Sequence, residues 1–333
     1  MVKMLMFDIK KTEREFLTTF DTSDFEISYF SQSLNHKTKL TLKDYDETAI
    51  ISVFITSCVT KEVLDKFKNL RVIVTRSVCF KHIDTDECRR RNIAVINVED
   101  YARDAISQYV IGLAFNLTRN ISVASEDVKK GVFDFERYES ENIDKLSIGV
   151  IGTGSVGSAV CELAHRLGMK VQANDFVINK NISSYVEYMS LNDVMRKSDI
   201  VSIHIPYNKD CYHMISDSEI DLMKEGSYII NTCEPDIIDK AALYRALKTK
   251  KLKGAALDMI IKYPRELFAK ESVKAEYNEL EEIIIRQKLI EQENVIITPR
   301  ISYDTKDCII HILKSNFHSI KDYYAGRKTN RIV

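Results

Sequence analysis

The sequence predicts an α/β protein built from two doubly wound parallel-sheet domains. Three observations carry that expectation. The chain has 333 residues, too many for one ordinary core. Short apolar runs rich in β-branched residues alternate with amphipathic stretches from one end to the other, the pattern of βα units around parallel sheets. A GxGxxG lies mid-chain, directly between an apolar run and a helical pattern.

Taken in order, residues 3–7, 26–30, 48–54, 71–75 and 93–98 read as strands with short helices between them. This half resembles a flavodoxin-like domain. A long helical pattern follows, in which Ala105, Ile106, Tyr109, Val110, Leu113, Ala114 and Leu117 recur at three and four residue steps. It is long enough to cross between domains and equally serves as a core helix. A polar loop at 133–144 precedes a second strand series at 147–151, 170–173, 200–203, 227–231, 254–257 and 295–297. Six strands with helices between them make a full dinucleotide-binding, Rossmann-type domain. Residues 270–292 are charge-rich and read as a surface helix, and a final helix over 305–324 can return to the first domain.

Composition excludes several classes of partner. Lys and Arg number 48 against 49 Asp and Glu, a formal charge of −1, so no large field gathers nucleic acid or anionic lipid. The seven cysteines form no CxxC pair and no cluster with zinc-site spacing, which points to reduced thiols and no metal. The opening apolar run meets Asp8 at once and lacks the form of a signal peptide. No apolar stretch approaches the roughly 20 residues that span a bilayer. A cytoplasmic protein with no membrane partner is expected.

The cofactor signature is Ser147-Ile-Gly-Val-Ile-Gly152-Thr-Gly154-Ser-Val-Gly157, followed by a helical pattern from Ala159 to Leu167. Gly152 permits the tight turn, Gly154 lets the backbone approach a pyrophosphate, and Gly157 lets helix and strand pack closely. Thr153, Ser155 and Val156 complete the loop, whose helix N-terminus offers N–H groups to phosphates. Asp175 stands eighteen positions after Gly157, at the end of the next strand. A carboxylate there accepts from ribose hydroxyls and repels a 2′-phosphate, so NAD is preferred over NADP.

With these residues in view, the chain resembles the D-2-hydroxyacid dehydrogenase family, and its D-lactate dehydrogenase branch most closely. The likeness runs through Thr75-Arg-Ser-Val-Cys-Phe-Lys-His-Ile-Asp84, Asn97-Val-Glu-Asp-Tyr101, the glycine motif, Ser202-Ile-His-Ile-Pro206, Ile229-Ile-Asn-Thr232, Gly254-Ala-Ala-Leu-Asp258 and Ile297-Thr-Pro299. It implies a substrate domain of residues 1–100 plus 300–333, an NAD domain of 101–299, and further cofactor contacts from His204, Pro206, Thr232 and Asp258. It also implies a homodimer formed through the helix near 102–120.

The resemblance implies reduction of a 2-keto acid by an arginine that grips the substrate and a histidine acid/base tuned by a glutamate. An anion needs a fixed cation, and the alkoxide left by hydride addition must be protonated. Here Glu234 stands at the arginine position, Ile261 at the glutamate position and Arg300 at the histidine position. Arginine stays charged and cannot relay a proton. Cys79 replaces a glycine of the substrate loop, and Ala102, Arg103 and Gln108 replace the usual serine, proline and glutamate.

Ordinary D-lactate dehydrogenase activity is therefore expected to be weak or absent. Glu234 and Arg300 either pair and close the site to a bare 2-keto acid, or Arg300 grips the anion while Glu234 binds an amine or hydroxyl. His82 and His204 are substitute acids or structural residues. Tyr101 and Tyr303 line the substrate pocket or pack, with Lys81 and Cys233 as weaker candidates. Three classes stay open: an oxidoreductase with an altered small-molecule substrate, a non-catalytic NAD(H)-sensing or partner-binding protein, and a structural subunit beside an active homologue.

Overall fold

In the computed structural model of the chain the described residues are 1–134, 136–260 and 275–333, the side chains of 275–279 excepted. They fall into two compact units: Met1–Tyr101 with Asp304–Val333, and the stretch between them.

The first unit carries β1 (Val2–Met6), α1 (Lys11–Leu17), β2 (Phe25–Tyr29), α2 (Leu42–Glu47), β3 (Ile50–Val53), α3 (Lys61–Leu64), β4 (Val72–Thr75), α4 (Thr85–Arg90) and β5 (Ala94–Ile96). The strands form one parallel sheet in the order β2-β1-β3-β4-β5. A parallel sheet is covered on both faces, so alternate residues of one strand serve two cores. Leu5, Ile51 and Ile73 face Leu34, Val63 and Leu64. Met4, Met6, Val72 and Val74 face Ile309, Leu313, Phe317 and Ile320 of the C-terminal helix (Lys306–Tyr324). The tail beyond that helix returns to the edge strand β5: Ile96 bridges Arg331 antiparallel, and Ile332 N–H donates to Val95 O at 2.8 Å.

The second unit opens with α5 (Arg103–Arg119) and α6 (Ile121–Lys129), then β6 (Ser147–Ile151), α7 (Ser155–Arg166), β7 (Lys170–Asn174) and β8 (Val186–Tyr188). It continues with α8 (Leu191–Lys197), β9 (Ile200–Ile203), α9 (Asp217–Leu222), β10 (Ser227–Asn231), α10 (Lys240–Lys248), β11 (Leu252–Leu257), α11 (Ala275–Ile290) and β12 (Val295–Ile297). All pairings in this seven-stranded sheet are parallel, in the order β12-β11-β10-β9-β6-β7-β8. Strand order reverses between β6 and β9, the switch point beside which such sheets bind ligands at their strand C-termini. The long helix α5 lies wholly within this unit, packed on α7 with Val110, Leu113, Ala114 and Leu117 in its core, so it is a core helix.

The fold class is the expected one, with two corrections in detail. A seventh strand, β8, is present at the edge; at three residues it is too short to show a period. The polar loop at 133–144 includes two single-turn helices, Glu136–Tyr138 and Ile143–Lys145. No described helix is long and apolar enough to cross a membrane.

Candidate active site

The loops after β6, β9, β10, β11 and β12 line up at the C-terminal ends of neighbouring strands. The first turns at Gly152, whose φ of +90° suits glycine; a Cβ there would stand 2.5 Å from His204 O. A Cβ on Gly157 would stand 1.9 Å from Gly152 O, so this contact of helix and turn admits no side chain. Gly154 differs from both, with no atom within 4 Å of such a Cβ. It is the N-cap of α7 and makes no side-chain cap bond, and exposed Ser155 and half-buried Val156 follow it.

Asp175, just beyond β7, is bound to this turn. Its Oδ2 accepts from Thr153 N–H at 2.5 Å and Thr153 Oγ1 at 3.0 Å, and its Oδ1 accepts from Val177 N–H at 3.2 Å. Burial works to raise this carboxyl, but the backbone N–H groups and the Thr153 hydroxyl outweigh it and hold it below its ordinary value. The edge strand adds a further tie, Tyr188 OH donating to Thr153 Oγ1 at 3.0 Å.

After β9, His204 is buried with Nε2 2.8 Å from Ser202 Oγ, and Nδ1 has no hydrogen-bond partner among the described residues. Burial pushes its pKa down to about 3, so it is neutral at physiological pH. Pro206 is exposed two residues on. After β10, the Thr232 hydroxyl is buried and likewise without a partner among the described residues. Asn231 shapes the turn, its Oδ1 accepting from Cys233 N–H at 2.9 Å and its Nδ2 donating to Glu234 O at 3.1 Å. The Cys233 thiol lies 3.3 Å from Ile203 O, and burial pushes its pKa up to about 12, so no thiolate forms near neutrality.

Asp258, buried at the end of β11, organises the next loop. Its Oδ1 accepts from Thr298 Oγ1 at 2.7 Å and Ile301 N–H at 2.9 Å, and its Oδ2 accepts from Ser302 N–H at 2.9 Å. Arg300 N–H donates to Asp258 O at 2.6 Å, and the clamp holds Arg300 at a φ of +56°, rare for any residue but glycine. The Arg300 guanidinium lies 3.8 Å from Glu234 Oε1 and 3.6 Å from Met259 Sδ. Both members of this charge pair are partly open, 25% for Arg300 and 32% for Glu234. At that length it is an ion pair without a hydrogen bond, worth about 0–1 kcal/mol.

Four other candidates lie in the first unit. His82 is buried with Nε2 3.2 Å from Thr75 Oγ1, which contacts Ser77 Oγ at 2.7 Å. Ser77 donates on to Cys79 O at 2.6 Å, a buried chain of hydroxyls that orders the 77–82 loop. Cys79 and Tyr101 are half-buried and Lys81 is exposed. Tyr303 is half-buried near the end of the second unit, and Ile261 lies outside the described residues.

Residues 111–302, more than half of the chain, match the D-isomer specific 2-hydroxyacid dehydrogenase, NAD binding domain. The chain belongs to this 2-hydroxyacid dehydrogenase family. Among curated relatives, an aromatic 2-oxoacid reductase of Clostridium sporogenes is 30% identical over 97% of this chain and 96% of that protein. The D-lactate dehydrogenase of Aquifex aeolicus, solved with NAD and lactic acid, superposes with a TM-score of 0.82 at 29% identity, covering 99% of both chains. That of Lactobacillus jensenii, solved with NAD+, gives 0.82 at 25% identity over 99% of both.

The 2-hydroxyacid dehydrogenase residues described above suit the cofactor of this NAD-binding domain. Open space stands over Gly154, the α7 N-terminus carries no side-chain cap, and the Thr232 hydroxyl is buried without a partner among the described residues. Sequence reasoning missed how the loops are held: Tyr188 on Thr153, Asn231 on Glu234, and the three donors that Asp258 gathers. Only the strand-end position of Asp258 signalled it, and its partners lie 40 to 44 residues away.

Proposed function

We propose that the chain is an NAD(H)-dependent oxidoreductase acting on a CH–OH/keto-type carbon, with a substrate other than a plain 2-keto acid and weak or no ordinary D-lactate dehydrogenase activity. The observation that carries the reading is the charge pair of Glu234 and Arg300, 3.8 Å apart. By the resemblance these are the positions of the substrate-gripping arginine and the proton-relaying histidine. A carboxylate in the first repels a 2-keto acid, and a permanently charged guanidinium in the second cannot donate a proton. In this reading Gly154, Ser155 and Val156 hold the pyrophosphate, Asp175 the ribose, and Thr232 and Asp258 the nicotinamide side. The cofactor supplies hydride chemistry; the protein's part is to orient the substrate and fix a cation beside it.

The test is NADH fluorescence of the purified protein, followed by NADH oxidation with pyruvate and a panel of further keto acids and aldehydes. NADH binding with a pyruvate rate at least about 10²-fold below ordinary enzymes is expected; ordinary turnover of pyruvate overturns the reading. A second reading, a non-catalytic NAD(H)-sensing or partner-binding protein, is favoured by the replacement of both the substrate-gripping arginine and the proton-relaying histidine, at Glu234 and Arg300. NADH bound without turnover of any substrate selects it. A homodimer is supported by exposed Ile121, Val128 and Phe133 on and after α6, and a cytoplasmic site by seven free cysteines. Light scattering in solution checks the first.

A further inference from the structure

We propose that the substrate is a 2-iminium carboxylate, the condensation product of a 2-keto acid with ammonia or a small primary amine, which is reduced to a 2-amino acid. The inference rests on the oxidoreductase reading and adds the substrate class to it.

Charge complementarity is the first ground. Arg300 and Glu234 present a cation and an anion 3.8 Å apart, both partly open, on the loops after β12 and β10, the two strands that flank β11. The ligand that matches carries the reverse order of charge over the same short span: a carboxylate, and a positively charged nitrogen one carbon away. The guanidinium takes the carboxylate with two parallel N–H donors, and Glu234 accepts from the iminium N–H. A keto acid instead turns its carbonyl oxygen, which only accepts, toward a carboxylate, which also only accepts. The existing ion pair is longer than a hydrogen bond, and a ligand that parts the two side chains exchanges it for charge-assisted hydrogen bonds on both sides. Arg300 is fixed for the task, because Asp258 binds the turn on both sides of it.

Proton balance is the second ground. Hydride addition to a ketone leaves an alkoxide that needs an acid, and of the described groups on the strand-end loops after β9 and β10 neither His204, neutral down to about 3, nor Cys233, which holds its proton up to about 12, supplies it. An iminium ion arrives with its proton already on nitrogen. Hydride from NADH adds to C2, the C=N π pair becomes the nitrogen lone pair, and the products are NAD+ and a neutral amine. That amine then takes a proton from water. Two electrons and one hydrogen move to carbon, and the protein donates no proton, so a site with arginine in the histidine position can complete this reaction.

The test compares NADH oxidation by the purified protein with 2-keto acids, from pyruvate to phenylpyruvate, in the absence and presence of ammonium or methylammonium at alkaline pH. A second readout is the melting temperature of the NAD-loaded protein with alanine or lactate. The expected result is a rate at least tenfold higher with amine, formation of the 2-amino acid, and a melting shift with alanine that lactate does not reproduce. In Glu234→Gln the alanine shift falls while the NADH fluorescence titration shows the variant folded. Turnover of a keto acid at the same rate without amine overturns the inference and leaves the NAD(H)-dependent oxidoreductase standing, with a plain 2-keto acid as its substrate; turnover of an aldehyde alone overturns the inference and leaves the whole reading standing. NADH bound with no turnover in either medium overturns both.

Discussion

At the scale of single residues, the three motif glycines carry three different constraints. Gly157→Ala drives a Cβ to 1.9 Å from a backbone oxygen and is expected to cost about 3 kcal/mol or more of stability. Gly154→Ala meets nothing within 4 Å. It should leave the melting temperature unchanged and weaken NADH binding at least tenfold, as read by fluorescence titration. Equal loss of stability in the two variants would show that the turn, not the ligand, needs Gly154. His204 gives a pH signature. Folding lowers its pKa from about 6.5 to about 3. Its contribution is therefore fully present above the unfolded value and is lost as pH falls below it, on the order of 2 kcal/mol between pH 7 and pH 5. Urea unfolding at those two pH values should show that loss, and His204→Gln should flatten it. The glycines were legible in the sequence because their constraint is local, a spacing between strand and helix. The clamp of Asp258 was not, because its donors Thr298, Ile301 and Ser302 meet it only once β11 and β12 pair.

At the scale of elements, parallel strands announced themselves as apolar runs rich in β-branched residues: 147–151, 200–203 and 227–231 coincide with the buried β6, β9 and β10, and 295–297 with the half-buried β12. Strand β8 did not, because its Val-Glu-Tyr has a glutamate at its centre and forms no β-branched run. The return of the tail to β5 was also invisible, since an antiparallel bridge of one residue pair leaves no pattern. That tail covers an edge that would otherwise offer unpaired N–H and C=O groups to another chain. Removal of residues 330–333 is expected to lower the melting temperature and to promote association on heating, measured by thermal unfolding with light scattering. A truncated chain that melts and stays monomeric like its parent would show that the edge needs no cover.

At the scale of the molecule, alternation of strand and helix was enough to read two parallel-sheet units from the sequence, while which face each helix covers emerged only from the packed cores. The cofactor preference belongs to this scale because binding stabilises the whole fold. At a ligand concentration a hundred times its Kd the gain is about 2.7 kcal/mol. NADH should raise the melting temperature, and NADPH should do so much less because Asp175 opposes its extra phosphate. Equal shifts would remove Asp175 from that role.

The two units also differ in how the chain supplies them. The second takes all its described residues from between Ala102 and Tyr303, whereas the first takes its sheet from Met1–Tyr101 and its closing helix from Asp304–Val333. During synthesis the nucleotide-binding unit can therefore fold as it leaves the ribosome, while Met4, Met6, Val72 and Val74 wait uncovered until Ile309, Leu313, Phe317 and Ile320 have been made. The half that begins first is finished last, and throughout translation it is the part of the nascent chain most in need of a chaperone.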